Sequence, residues 1–297
     1  MNDYLLSLLL GIIEGLTEFL PVSSTAHLRI AEALLGVSMT SGYWKMYTIA
    51  IQLGAILCLP VYFRERIRGF LVTLGAPRGQ GASLLRHPLA LVLAAFVVTA
   101  IPAFLFTKII GKHLESLTVM GCSLVIGGIV MWLVDARNAK SEAGPPDAPG
   151  SRIHTWCMEN MSLGQAVWIG FCQFLSAVFP GTSRSMATIA GGQLAGMSRA
   201  AALEFSFFLS MPTMTVAVAY DLLKSLSGKA ENPIGVAEID AHGWVVLAIG
   251  FVVSFVVAYA SVAWLMAWVR RRGFVPFAVY RVVVGAAVLA WSFGCFR

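Results

Sequence analysis

Two carboxylates stand four residues apart in the stretch Gly11-Ile-Ile-Glu14-Gly-Leu-Thr-Glu18-Phe-Leu-Pro21-Val-Ser23-Ser24-Thr25-Ala-His27-Leu28. On a helix that spacing puts both on one face, roughly 6 Å apart. Like charges so close repel, and in an apolar setting the pair requires a divalent cation, a shared proton or basic partners. Carboxylate oxygens suit Mg²⁺ or Ca²⁺ better than softer metals, so Glu14 and Glu18 are the candidate metal ligands. Pro21 ends the helix that carries them. The hydroxyls of Ser23, Ser24 and Thr25 then start another, whose free N–H groups can face an anion. His27 falls three residues after Ser24 on the same face, where it could take a proton from the hydroxyl.

A second stretch, Phe179-Pro180-Gly181-Thr182-Ser183-Arg184-Ser185, repeats the proline-then-hydroxyl device and adds a guanidinium. Gly181 permits close backbone approach, and Arg184 presents a planar donor fork matched to phosphate oxygens. The G-x-x-x-x-G-K-[ST] pattern of nucleotide-binding P-loops is absent. Carboxylates, hydroxyls, an imidazole, a guanidinium and two helix starts together suit a metal-bridged phosphate ester or anhydride. Ser23, Thr25, Thr182, Ser183 and Ser185 are the candidate phosphate contacts beside Ser24, His27 and Arg184. A substrate reaching such groups from lipid would be a phosphorylated lipid.

The elements that hold these groups belong to a membrane protein. Of 297 residues, 58% are hydrophobic and 12% charged, and the mean hydropathy is +0.79. That is half the charge that soluble chains carry. Leu89–Phe106, Leu117–Val134, Val245–Val269 and Phe277–Phe293 are apolar runs that come near the length needed to cross a bilayer as helices, and Tyr43–Phe63 and Ala200–Tyr220 are similar. The start, Met1-Asn2-Asp3-Tyr4, lacks the basic region of a signal peptide and is expected to be retained. Five scattered cysteines form no C-x-x-C pair and read as small hydrophobes. The net charge of +6 lies mostly in loops, which points to membrane orientation and not to nucleic acid.

Ser141–Ser151, rich in Pro, Gly and Ser, is the linker between repeats of about 1–140 and 152–297 in a single membrane domain. An offset of 159 positions sets Pro21 on Pro180, Ser24 on Ser183, Gly11 on Gly170 and Glu14 on Gln173. Arg64, Arg66, Arg68, Arg78 and Arg86 mark one connection as cytoplasmic, whereas its counterpart, Asp221–His242, is acidic and reads as external. Arg270, Arg271 and Arg272 mark the next connection as internal. The halves are therefore inverted. The remaining segments, about 4–36 and 162–197, must enter and return on one face. The expected fold is all-α, a polytopic inverted-topology repeat of about six spanning helices and two re-entrant helical hairpins.

Glu14-Gly-Leu-Thr-Glu18-Phe-Leu-Pro-Val-Ser-Ser-Thr-Ala-His27 and Pro180-Gly-Thr-Ser-Arg184-Ser closely resemble the signatures of bacitracin-resistance-type undecaprenyl-diphosphate phosphatases. The likeness extends to Ile51-Gln52-Leu53-Gly54 and to Glu204-Phe-Ser-Phe-Phe-Leu-Ser-Met-Pro212. Ala26 and Met186 stand where many relatives have glycine. The resemblance implies hydrolysis of the terminal phosphate of undecaprenyl diphosphate, which recycles the carrier lipid of cell-wall synthesis. It implies dependence on a divalent cation and a bacterial inner-membrane location with the site open to the periplasmic face. It places Glu14 and Glu18 at metal, diphosphate or proton, Arg184 at phosphate, and Ser24 and His27 at attack and proton transfer. The nucleophile stays open between Ser24, His27 and water. Undecaprenyl diphosphate and membrane lipid are the expected partners, nucleic acid is not, and a homodimer is left open. The rival reading is a polyprenyl-phosphate transporter or flippase using the same pocket.

Overall fold

The computed structural model describes residues 2–37, 42–75, 84–106, 116–145, 149–226 and 239–294. Arg78, the linker positions Pro146, Asp147 and Ala148, most of the loop after Asp221 and the connection starting at Lys108 lie outside the described residues. Within them the chain is helical: α1 (Asp3–Thr17), α2 (Ser24–Leu35), α3 (Gly42–Tyr62), α4 (Arg64–Gly75), α5 (Pro88–Leu105), α6 (Leu117–Ala143), α7 (Leu163–Val178), α8 (Arg184–Leu194), α9 (Arg199–Leu226), α10 (Ala241–Val269) and α11 (Val275–Ser292). Local chemistry sets several of the starts. Asn2 caps α1 by accepting from the Tyr4 N–H, and Ser162 and Gln165 form a reciprocal capping box at α7. Pro88 and Pro276 sit in first turns, where a missing N–H costs nothing.

Among the described residues, six helices are long and apolar enough to cross a membrane: Gly42–Tyr62, Pro88–Leu105, Leu117–Ala143, Arg199–Asp221, Ala241–Val269 and Val275–Ser292. The arms α1/α2 and α7/α8 are shorter. The longest of them, 16 residues in α7, reaches only about 24 Å against a hydrocarbon core of about 30 Å. Each half therefore runs as a broken helical pair followed by three spans.

Two details depart from the sequence reading. Ser141–Ala143, assigned to the linker, are the last turn of α6. The arginine-bearing connection after α3 is itself a helix, α4.

The chain forms two compact units, and neither coincides with a repeat: 1–19, 24–62 and 210–263 form the first, and 20–23, 63–209 and 264–297 the second. In the first unit, Leu6 and Leu10 of α1, Leu28 and Ala31 of α2, Tyr47 and Ile51 of α3 and Val246 of α10 form a core. Glycines let backbones touch there. A Cβ on Gly11 would lie 2.9 Å from the Gly250 carbonyl oxygen, and one on Gly15 2.8 Å from that of Ser254. In the second unit, α7 lies as close to α5, since a Cβ on Gly170 would meet the Ala95 carbonyl oxygen at 2.5 Å. Thr99 reinforces this contact by donating to the Gly170 carbonyl at 2.8 Å.

Candidate active site

Glu14 and Glu18 extend the stripe that Gly11 and Gly15 begin on α1, because positions 11, 14, 15 and 18 share a helix face. The glycines bring that face against α10, and both carboxylates are buried. After α1 the chain breaks at Pro21. Ser23, at φ +76°, turns it into α2 in a left-handed conformation that only glycine adopts freely. Ser24 is the first residue of α2, and its hydroxyl donates to Glu18 Oε2 at 2.5 Å. The bond is short and both partners are buried. Among the described residues, the Ser24 hydroxyl is thus committed to Glu18 and not to His27, which sits half-buried one turn along α2. Thr25 is exposed and Ser23 buried. Arg29 pairs with Glu32 at 2.6 Å, a turn beyond the site.

The second unit holds the other group of residues. α7 ends at Val178, and Gly181, at φ +88°, passes so close to α6 that a Cβ would meet the Met120 carbonyl oxygen at 2.6 Å. Ser183, at φ +69°, starts α8 by accepting from the Met186 N–H. Arg184 is the first residue of α8. Its carbonyl accepts from Thr188 at 2.9 Å, and the Thr188 hydroxyl bonds that of Ser206 at 2.7 Å. Ser183 and Ser185 join their hydroxyls at 3.0 Å. The buried Ser185 donates to the Leu20 carbonyl in the first break, also at 3.0 Å. Thr182 is half-buried.

These geometries refine the pairing of the repeats. Gly11 and Gly170 are equivalent close-approach glycines 159 residues apart. Ser23 and Ser183, which share the rare positive φ, are 160 apart. One more residue thus separates Pro180 from Ser183 than separates Pro21 from Ser23. Ser24 therefore corresponds to Arg184, each opening the second arm of its break, and not to Ser183. The counterpart of Glu14 is Gln173, buried and donating to Thr99 at 3.3 Å. The second break thus offers hydroxyls and a guanidinium where the first offers carboxylates and a hydroxyl.

Sequence reasoning missed one residue. Arg281 of α11 is fully buried and donates to the carbonyls of Pro21, Ser123 and Gly181. The available signal was its position as the one charge in the apolar run Phe277–Phe293. Glu204, at the head of the stretch ending in Pro212, holds Arg66 of α4 at 2.7 Å.

The chain matches the family described as bacitracin resistance protein BacA over residues 7–287. It is 64% identical to the undecaprenyl-diphosphatase of Koribacter versatilis, over 98% of this chain and 99% of that one. Identity is 42% to the undecaprenyl-diphosphatase of Sorangium cellulosum, over 95% of this chain and 84% of the relative. It is 40% to that of Thermus thermophilus, over 97% and 96%. The broken helices, the buried carboxylate–hydroxyl pair and these relationships across nearly the whole length agree: the chain belongs to the bacitracin resistance protein BacA family.

Proposed function

We propose that this chain hydrolyses the terminal phosphate of undecaprenyl diphosphate, giving undecaprenyl phosphate and inorganic phosphate. The observation that carries the reaction is the 2.5 Å bond from the Ser24 hydroxyl to Glu18. Moving a lipid phosphate across the bilayer needs no hydroxyl aligned on a buried base, whereas nucleophilic attack does. This favours hydrolysis over carriage.

In this mechanism Ser24 Oγ attacks the terminal phosphorus as its proton passes to Glu18. The bond to the bridging oxygen breaks, and undecaprenyl phosphate leaves. Water then attacks phosphoserine with His27 accepting its proton, the bond from phosphorus to Ser24 Oγ breaks as Glu18 returns its proton to that oxygen, and phosphate departs. Arg184 takes two phosphoryl oxygens in its donor fork, and the N–H groups at the start of α8 face the same charge. Ser185, bonded to the Leu20 carbonyl, acts by holding the first break, not by touching phosphate.

Glu14 and Glu18 are suited to hold a divalent cation. Among the described residues no cluster of three His, Cys, Asp or Glu side chains surrounds a metal position. Two carboxylates fit Mg²⁺, which keeps waters and binds substrate phosphate, better than Ca²⁺, which takes 6–8 oxygens. When bound, the ion neutralises diphosphate charge.

We place the site toward the outer face of the inner membrane. Arg64, Arg66 and Arg68 of α4 and the Arg270–Arg272 turn support this as cytoplasmic anchors, against the acidic Asp240 at the opposite end of the α10 span.

The test is phosphate release from undecaprenyl diphosphate by the purified chain in detergent, with acid-quenched trapping of the phosphoenzyme. Release with label on Ser24 is expected. Binding without release would establish the carrier reading, and label on any other residue would sink Ser24 as nucleophile.

A further inference from the structure

Arg281 stands in the middle of a span and is 0% exposed. Nη1 donates to the Pro21 carbonyl at 3.2 Å, and Nη2 donates to those of Ser123 at 3.1 Å and Gly181 at 3.2 Å. Among the described residues no carboxylate shares it. The fold makes room for this side chain. A Cβ on Gly127 of α6 would lie 2.4 Å from Nη2, and one on Gly128 3.2 Å from the Arg281 Cβ. A buried guanidinium with no counter-ion is costly, and such residues persist where carbonyl dipoles and a functional demand hold them.

The acceptors identify the demand. Proline breaks release carbonyls from helical bonding, and two of the three acceptors lie in the breaks. Pro21 is two residues before Ser23, and Gly181 two before Ser183. These are the non-glycine residues at φ +76° and +69° from which α2 and α8 begin. Positive φ at serine persists only where the surroundings over-determine it. Residues 20–23, α6, 180–183 and α11 all belong to the second unit, so one side chain ties both breaks to the α6 backbone. Bonded to Arg281, these carbonyls are also withdrawn from repelling an anion at the neighbouring helix starts.

We infer that Arg281 is a positioning residue for the phosphatase reaction. It holds Pro21 and Gly181 in one register, so that the helices opening with Ser24 and Arg184 start from fixed points. The inference rests on the phosphatase reading above. Arg281 does not touch the substrate. Its loss therefore lowers turnover and leaves substrate binding nearly intact.

The experiment compares Arg281→Met, Arg281→Lys, Gly127→Ala, the double variant Gly127→Ala/Arg281→Met and the control Gly121→Ala, all as the full chain in detergent with undecaprenyl diphosphate. Gly127→Ala displaces the guanidinium while keeping Arg281. Gly121→Ala crowds the Leu289 side chain on the same helix pair without reaching it. A misplacement of about 1 Å costs about 100-fold, so Arg281→Met and Gly127→Ala should each lose about that much kcat with KM nearly constant. Arg281→Lys should fall between them and the wild type, Gly121→Ala should stay near wild type, and the double variant should be no worse than Arg281→Met. A raised KM at preserved kcat, losses that multiply in the double variant, or an equal loss in Gly121→Ala would each overturn the proposal. If Arg281→Met does not fold, Gly127→Ala decides: a kcat-only loss supports the proposal and unchanged kcat overturns it. A wild-type chain that releases no phosphate sinks the phosphatase reading and this proposal with it. A releasing wild type matched by Arg281→Met sinks this proposal alone.

Discussion

Glu18 accepts the Ser24 proton donor at 2.5 Å, and general-base catalysis of this kind contributes roughly 10²–10⁴-fold. Glu18→Gln keeps the shape and can still bond the hydroxyl, but it cannot take the proton. Its kcat on undecaprenyl diphosphate should drop by about that factor. A full-rate Glu18→Gln would assign the proton elsewhere. At Arg184 the fork matters as much as the charge. Arg184→Lys should therefore lose roughly 10-fold or more in kcat/KM, and near-wild-type activity would show that any cation suffices there. The residues at both breaks were legible because carboxylates, prolines and hydroxyls cluster in otherwise apolar sequence. Their correspondence was not. Two proline-then-hydroxyl strings align at 159 by identity, and only the positive φ of Ser23 and Ser183 shows that the second string carries one residue more.

At the scale of elements, α4 is held by charge. Arg66 donates through Nε to Glu204 of α9 at 2.7 Å and through Nη1 to Glu159 in the strap before α7, and its guanidinium lies over the Phe70 ring. Arg66→Ala should lower Tm by roughly 2–6 °C, read by thermal unfolding in detergent, because it strands two carboxylates. Burial alone would raise the Glu159 carboxyl. The hydrogen bond and charge of Arg66 outweigh it and hold the group below the usual carboxylate value. Its stabilising share is therefore complete above the ordinary glutamate range and lost as pH falls through the lowered value. The Tm difference between wild type and Glu159→Gln should accordingly shrink on acidification, and a constant difference would contradict the ion pair. At the α5–α7 contact the neighbour of Gly170 is backbone, which cannot yield as a side chain can. Gly170→Val should therefore reduce folded yield, measured by size-exclusion chromatography, far more than Gly69→Val on α4, where a Cβ meets open space.

For the whole molecule, EDTA should stop phosphate release and Mg²⁺ restore it. Activity in metal-free buffer would remove the ion from Glu14 and Glu18. Inverted topology predicts that a cysteine at Asp240 labels from outside intact cells while one at Arg86 does not, in a chain cleared of its own exposed thiols. The sequence by itself determined the class, the six spans and the two broken pairs, since apolar length and proline placement act locally. It also singled out the polar side chains at the two breaks as candidates for the chemistry, because polar groups in apolar sequence need a reason to be there. Tertiary structure alone decided that Ser24 bonds Glu18, that Ser185 and Arg281 donate to backbone carbonyls, and that the compact units cut across the repeats. The physical reason is range. The acceptors of Arg281 lie 100, 158 and 260 residues away, and no periodicity or motif encodes a bond to a carbonyl that every residue possesses.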